Sequence, residues 1–583
     1  MHRNASKMQR EVRAWTKVVV CINRSSVRIL GQNTDENCAG STLTINRTRI
    51  DEIFETRADI PEECEVSSVL RGSGILGFLE VKNAVYLGLI TKSFLAGNIG
   101  PHDIFCVSEI EWIPISFGIT VISKTDSRDL GLILNLFRGQ DFYYSDTLNV
   151  TAKSCRFQWN HKHVSRLSAF SPQWTLDIMH GFFGSVSFSS MNRNFQFALF
   201  ARRSQFFAGT RYKKRGLNGE GDCANEVELE QILVSLGPPD HVFSFVQIRG
   251  SVPLQWCQEG NGLLGRPEIF IKHCDLKLDL TRRHFENLVH RYGSPIIPVS
   301  LLMNREGSSE TQLNEEYAES VAEIQSRVAE LQSIENFDLK GGDALGVSIY
   351  EEAREMSREL LKRTQWSHQV DSCVVLTQTG IVRSNCVDCL DRTSIFQYIL
   401  GLEVLNAQLI SLGVLDARNP MTPTWSTGSA KNFGPQALSR LVESLFEAAG
   451  DKIALQYAGT AAHKTYSSGR ASRQGSIDGG LISSGKELFI SLSRHYSSTF
   501  TDNDKQNAMN LFLGLYAGIE NWEEESVSMD KYVHSRRGKG RFIEQRRKIL
   551  LVDLKPGDHL DEYSYYRSKE WKQISFNPSN NLE

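Results

Sequence analysis

The chain has 583 residues, of which 40% are hydrophobic and 23% are charged, and its formal net charge is −3. This composition is typical of a folded protein rather than a disordered one, and the length predicts roughly two to four domains. The balance of 65 basic against 68 acidic residues predicts no general affinity for nucleic acid, so an anionic partner must bind a local basic patch.

The 11 cysteines are too few and too scattered for a disulfide scaffold. Cys386 and Cys389 have the Cys-x-x-Cys spacing, but no second ligand pair accompanies them, so we predict no structural zinc site. The N-terminus lacks the apolar core of a secretory signal, and no apolar run approaches the ~18 residues of a bilayer span. We therefore expect a cytoplasmic protein without a transmembrane segment.

Residues 1–185 are predicted to form a β-rich region. Short apolar runs bounded by turn residues predict strands, and a helical spacing of leucines predicts a helix later in this region. The predicted strands are Lys17–Ile22, Val27–Leu30, Gly74–Val81 and Ala84–Ile90, and the predicted helix is Ser127–Phe137.

Residues 186–519 are predicted to form an α/β domain, because strand and helix patterns alternate from about Phe195 onward. The predicted strands are Asn194–Phe200 and Val242–Ile248, with a hairpin-like pair of Ser372–Thr377 and Gly380–Arg383. The predicted helices are Glu315–Glu335, Ile349–Arg363, a well-buried helix over Ile395–Leu409, and Ala508–Tyr516. Residues 520–583 form a polar, basic tail.

The segment that carries chemistry is the loop from Cys386 to Arg392, a Cys-x5-Arg motif placed after a strand and before a helix. Such a loop can wrap a phosphate group with its backbone N–H groups, and the helix N-terminus adds its dipole. Arg392 offers a bidentate fork to two phosphate oxygens. The same positive field is expected to favour a Cys386 thiolate, the nucleophile for in-line attack on phosphorus. Thr393 can donate a hydrogen bond to the thiolate or to the phosphate.

Two carboxyls in this loop are candidates for the general acid that protonates the leaving oxygen. We favour Asp388 as the acid and Asp391 as a partner of backbone N–H groups or of Arg392. Either could instead cap the following helix. Cys386 itself could be an ordinary core cysteine, and a thioredoxin-like redox motif is a less favoured reading because the residues between the cysteines include an acid.

The loop Arg383–Thr393 closely resembles the signature of the Sac phosphoinositide phosphatases. Thr210–Gly216, Ala224–Gln231 and Gln247–Trp256 resemble further blocks of that family, and Gly401–Leu405 looks most like the Sac module of synaptojanins. The resemblance covers most of the chain. It implies an α/β Cys-x5-Arg phosphatase domain beside a β-rich N-terminal Sac subdomain.

The resemblance also implies the reaction, which is metal-independent removal of an inositol-ring phosphate through a cysteinyl-phosphate, with no cofactor. The implied substrates are phosphatidylinositol phosphates with a 3- or 4-phosphate, or the 3,5-bisphosphate. Carried over by position, the residues that would line or brace the site are Arg211, Arg215, Asn225, Glu228, Arg249, Trp256, Lys340 and Arg383. Lys340 stands where the family usually has a His, which puts substrate preference or proton transfer in doubt. Ser394 replaces the usual Asn after Arg-Thr.

Three functions remain open at this point. The first is an active phosphoinositide phosphatase, the second is a catalytically silent Sac module that acts as a lipid-binding scaffold, and the third is a protein phosphatase with the same chemistry. An active enzyme would meet its substrate in anionic membrane, and we expect peripheral attachment through the basic segment from Lys531 to Lys548. No nucleic acid is expected, and a protein partner is not indicated.

Overall fold

The computed structural model describes residues 17–23, 25–32, 41–57, 68–81, 84–116, 124–167, 169–170, 172–211, 213–259, 268–272, 275, 277–303, 307–337, 347–388, 390–423, 435–459 and 502–515. These residues form 20 strands in three sheets, together with eight α-helices. The mixture confirms the predicted α/β class. Cys389, Lys340 and the tail at 520–583 lie outside the described residues, so the predictions made for them stay predictions.

An antiparallel sheet of five strands opens the described chain. Its strands are β1 (Lys17–Ile22), β2 (Ser26–Gln32), β3 (Ser41–Asn46), β4 (Ile53–Arg57) and β5 (Ser68–Gly72), in the order β4-β3-β2-β1-β5. Strand β1 has the bounds that the sequence predicted. Alternate residues of β1, such as Val18 and Val20, are buried in a core shared with the next sheet.

A second sheet of 13 strands runs through the rest of the molecule. Its first part is antiparallel and contains β6 (Gly74–Val81), β7 (Ala84–Ile99), β8 (His102–Pro114), β9 (Phe142–Tyr144), β10 (Met179–Ser190), β11 (Arg193–Arg203), β12 (Val227–Leu236) and β13 (His241–Gly250). Helices α1 (Lys124–Phe137) and α2 (His161–Val164) lie between these strands in the chain. The predicted boundary at 185/186 falls inside β10, and the division of the chain into domains stays a prediction.

The last part of this sheet is parallel, and it positions the cysteine loop. Strand β20 (Ile381–Asn385) lies between β13 and β16 (Ile296–Ser300) and runs parallel to both. All five residues of β20 are buried. Such burial on both faces is expected for parallel strands covered by helices. Strand β17 (Glu335–Asn336) adds to the far side of β16.

Helices cover the two faces of this parallel region. The helices of the second half are α3 (Asp279–Tyr292), α4 (Ser309–Gln325), α5 (Val347–Thr364), α6 (Asp391–Ser411), α7 (Pro435–Ala458) and α8 (Asp502–Phe512). One core joins α5, α6 and α7 to the sheet, and another joins α3 and α4 to it. A separate two-stranded sheet consists of β14 (Trp256–Glu259) and β15 (Glu268–Ile271). Among the described residues, no helix is both long and apolar enough to cross a membrane.

Two sequence predictions were wrong in this half of the molecule. The helix predicted over Glu315–Glu335 begins earlier, where the Ser308 side chain accepts a hydrogen bond from the Thr311 N–H, and it ends at Gln325. The chain then forms β17, because pairing with β16 outweighs the helical propensity of these polar residues. Alternation of strand and helix also begins only at α3, since β11 to β13 are consecutive antiparallel strands.

The predicted hairpin around residue 380 was also wrong. The hairpin partner of β19 (Cys373–Leu376) is β18 (Ser367–Val370), whereas β20 lies beside β16. Gly380 makes this possible at φ +66, because a Cβ there would lie 1.9 Å from the Pro295 carbonyl oxygen. Only glycine fits so close an approach at a positive φ. The chain therefore enters the buried position between two parallel strands.

Candidate functional site

The cysteine loop begins where three parallel strands end together. Asn385, the last residue of β20, pairs with Gly250 of β13 and with Ser300 of β16. The Leu301 N–H donates to the Asn385 carbonyl at 2.8 Å. Cys386 follows directly and is 2% exposed. The carboxyl edge of a parallel sheet is the usual place for a ligand site in α/β proteins.

Helix α6 begins directly after the loop, as the sequence predicted. Its N-cap is Leu390, which has no side-chain hydrogen bond to offer the first N–H groups of the helix. Such N–H groups, with the helix dipole, suit an anion. Asp391 is the first helical residue, and Thr393 is fully buried, with a hydroxyl that has no hydrogen-bond partner among the described residues.

Arg392 is held by a carboxylate that the sequence analysis missed. Its guanidinium donates to the Leu301 carbonyl at 2.7 Å and to the Glu310 carboxylate in the first turn of α4. Glu310 also accepts the Met303 N–H at 2.8 Å. Burial lowers the pKa of Arg392, but the charges of Cys386 and Glu310 raise it above its usual value, so the side chain is cationic. No sequence motif pointed to Glu310, because its partner lies 82 residues away.

Asp388 is paired with two arginines from the loop after β11. Arg211 donates through Nε at 3.0 Å and through a second nitrogen, and Arg215 donates at 2.6 Å. Burial raises the pKa of Asp388, but Arg211 and Arg215 hold it well below its usual range. The predicted site residues Arg211, Arg215 and Asp388 are therefore together in the structure, with Asp388 as a carboxylate.

Three contacts fix the positions of the two arginines. The Arg211 N–H donates to the Tyr457 carbonyl at the end of α7 at 2.9 Å. Arg215 donates to the Val387 carbonyl at 2.7 Å and lies over the Trp256 ring, 5.4 Å from its centre. Trp256 is 3% exposed, so its buried ring supports the Arg215 guanidinium from the interior of the protein. The loop after β11 is thus fastened both to the cysteine loop and to α7.

Arg383 and Glu228 lie in buried networks. Arg383 is fully buried and donates to the His284 ring at 3.0 Å and to the Ser251 carbonyl at 2.8 Å. Glu228 accepts from Arg202 at 2.8 Å and from the Tyr292 hydroxyl at 2.5 Å. These contacts favour bracing of the sheet over contact with a substrate for both residues.

Arg249 and Asn225 are two further site residues that the sequence predicted, and both are buried. Arg249 donates to the Ser394 hydroxyl in the first turn of α6 at 2.9 Å. Asn225 is 3% exposed, has φ +53, and its amide group has no hydrogen-bond partner among the described residues. A buried amide without a partner is costly, so its retention points to a ligand or to a water.

The chemistry of the assembled residues is that of an anion site with a nucleophile. Cys386 begins the loop that leads into α6, and the side chains of Arg211, Arg215 and Arg392 all interact with this loop. Within the ranges that the structure describes, no group of three or more His, Cys, Asp or Glu side chains could hold a metal ion. The arrangement suits a phosphate or a similar dianion.

Comparisons with known proteins identify relatives of this chain. Residues 73–342 match the family model described as the SacI homology domain. The chain is 30% identical over 573 residues to phosphoinositide phosphatase SAC4 of Arabidopsis thaliana, covering 84% of this chain and 66% of the relative. It is 30% identical to phosphatidylinositol-3-phosphatase SAC1 of Arabidopsis thaliana, covering 79% and 59%. It is also 29% identical to the polyphosphoinositide phosphatase of Schizosaccharomyces pombe, covering 77% and 56%. The chain thus spans somewhat less than two thirds of these relatives.

Proposed function

The chain belongs to the Sac domain family, and from that premise we propose that it is a phosphoinositide phosphatase. The proposed substrates are phosphatidylinositol phosphates with a 3- or 4-phosphate, or the 3,5-bisphosphate. The observation that carries the proposal is the convergence of Arg392, Arg211 and Arg215 on a loop that begins with Cys386. The names of the relatives support the same substrate class.

The reaction proceeds in two displacements at phosphorus. The Cys386 thiolate forms an S–P bond as the P–O bond to the inositol ring breaks, and a general acid gives the leaving oxygen a proton. Water then attacks the cysteinyl-phosphate and gives a proton to the carboxylate left by the general acid, which releases phosphate and restores both the thiolate and the protonated acid. Arg392 and the N–H groups of α6 stabilise the charge on the equatorial oxygens in both steps. No step needs a metal ion.

The paired state of Asp388 bears on the choice of general acid. A general acid must carry a proton near the working pH, whereas two arginines keep Asp388 ionised. We therefore propose that Asp388 holds Arg211 and Arg215 ready for the substrate. Asp391, at the first position of α6, is then the loop carboxyl left for proton transfer.

The substrate lies in a bilayer, so the enzyme must meet an anionic surface. We propose peripheral attachment through the basic segment from Lys531 to Lys548, where each base near the leaflet contributes about 1 kcal/mol at most. This attachment does not depend on the chemistry at Cys386.

A substrate panel tests the proposed function directly. We expect the full chain to release phosphate from short-chain phosphoinositides that carry a 3- or 4-phosphate, and to leave a phosphotyrosine peptide intact. The measurement is phosphate release from every phosphoinositide isomer, beside the peptide. Binding of the lipids without release would favour a silent scaffold, and hydrolysis of the peptide at a comparable rate would favour a protein phosphatase.

Replacing Glu310 is expected to impair catalysis through Arg392. In Glu310→Gln the carboxylate that orients the guanidinium is lost, and we expect kcat/KM to fall by about 10- to 100-fold. The matched control is Glu315→Gln, an exposed residue of the same helix, which should behave as the parent. Hydrolysis of a short-chain substrate provides the measurement. Equal rates for the two variants would show that Arg392 does not need Glu310.

A further inference from the structure

Asp502 is a buried carboxyl that the mechanism above does not use. It is the first residue of α8, its side chain is 1% exposed, and neither oxygen has a hydrogen-bond partner among the described residues. Burial of a carboxylate without hydrogen bonds is costly, and a purely structural position would be better filled by a neutral side chain. The cost of burying this carboxylate indicates that Asp502 has a role that depends on its negative charge.

The surroundings of Asp502 are fixed by other side chains. One turn further along α8, the Gln506 side chain accepts the Thr210 N–H at 3.1 Å and donates to the Ala208 carbonyl at 3.2 Å. Lys505 donates to the Leu455 carbonyl of α7 at 2.8 Å. Helix α8 is therefore fastened to the loop after β11 and to α7 without the help of Asp502.

Three cations interact electrostatically with Asp502. Lys505 belongs to its own helix, and Lys213 and Arg211 belong to the loop after β11. Burial raises the pKa of Asp502 to about 6, although all three cations lower it. Arg211 also pairs with Asp388 in the cysteine loop, so one guanidinium connects Asp502 electrostatically to the anion site.

We propose that Asp502 takes up a proton when a dianion binds in the cysteine loop, so that the site binds dianions more tightly as the pH falls toward 5. A bound dianion offsets the positive charge of Arg211, which otherwise helps to keep Asp502 ionised. The proton affinity of Asp502 then rises, and by reciprocity a protonated Asp502 strengthens binding of the dianion. The inference deepens the proposed function, on which it relies only for the place where the dianion binds.

Sulfate is the probe, because it stays a dianion throughout the pH range in which a phosphate monoester changes its charge. The Cys386→Ser chain removes the thiolate from the titration. We expect its sulfate Kd, measured by calorimetry, to rise about tenfold between about pH 5.5 and pH 7.5. With Asp502→Asn added, the Kd should stay low and nearly constant. At about pH 6.5, the chain with Asp502→Asn should take up fewer protons on binding sulfate than the Cys386→Ser chain alone.

The matched control is Asp504→Asn, the same change at an exposed residue of α8, which should keep the parent's pH dependence. Asp502→Asn should also raise the midpoint of thermal unfolding at pH 7.5 and less at pH 5, because the raised pKa of Asp502 costs stability that grows above the ordinary value of 3.8 and is complete only above about 6. Equal pH dependence for the Asp502 and Asp504 variants would overturn the inference. A parent chain that binds no sulfate would contradict the proposed anion site itself, and the inference would fall with it.

Discussion

Replacing Cys386 by Ser is expected to lower kcat by about 10⁴-fold or more, because the S–P bond can no longer form. Binding of a short-chain phosphoinositide should persist, since Arg392 and the N–H groups at the start of α6 remain. The measurement pairs single-turnover phosphate release with lipid binding by calorimetry. Cys373→Ser, the same change at an exposed cysteine, is the control and should leave both quantities unchanged.

Arg392→Ala should instead lose turnover and binding together, because we propose that the guanidinium contacts the phosphate in both the ground state and the transition state. The contrast between the two variants is the diagnostic result. A Cys386→Ser enzyme that keeps most of its activity would remove the covalent mechanism, even if Arg392 proved essential.

Glu226→Gln is expected to cost about 3 to 5 kcal/mol of the free energy of unfolding, because it removes one partner of a buried ion network. Glu226 is 1% exposed and pairs with Arg291 at 3.1 Å and with Arg156 at 3.4 Å. Glutamine keeps the volume but not the charge, so two buried guanidinium groups lose their shared carboxylate. Urea unfolding at neutral pH provides the measurement, and Glu220→Gln is the exposed control.

The effect should depend on pH in a defined direction. Burial raises the pKa of Glu226, but Arg291 and Arg156 lower it to about 2, below the 4.5 of a free glutamate. A lowered pKa contributes stability above about pH 4.5 that is lost as the pH falls toward 2. The gap between parent and variant should therefore shrink on acidification. A gap that stays constant would mean that packing, and not charge, accounts for the loss.

Local patterns in the sequence predicted much of the fold. Strands β1 and β6 have the predicted bounds, and the leucine spacing predicted α6. These elements are short apolar runs between turn residues, or a long helix that is buried along its length, and both signals are contained in neighbouring residues. The sequence did not predict which strands pair with one another. The position of β20 between β13 and β16 depends on strands far away in the chain.

The candidate site, like the fold, could be predicted from the sequence only in part. The cysteine loop could be located, because a strand, a loop and a helix follow one another within a few residues. Glu310 could not, since nothing near it in the sequence shows that it faces Arg392. Asp502 gave no signal either, because its burial beside Arg211 arises from the docking of α8 on the loop after β11.

Helix α8 has a consequence for the order in which the protein is built. Its Phe512 ring packs on Phe137 in the first third of the chain, while Gln506 fastens the loop that carries Arg211. Translation delivers this helix after both of its docking surfaces. We therefore expect a ribosome-bound chain that has already exposed Cys386 and α6 to lack the contacts of α8 with the loop that carries Arg211, and to leave the apolar surface near Phe137 uncovered. We therefore expect the proposed anion site to be completed late in synthesis, when α8 docks.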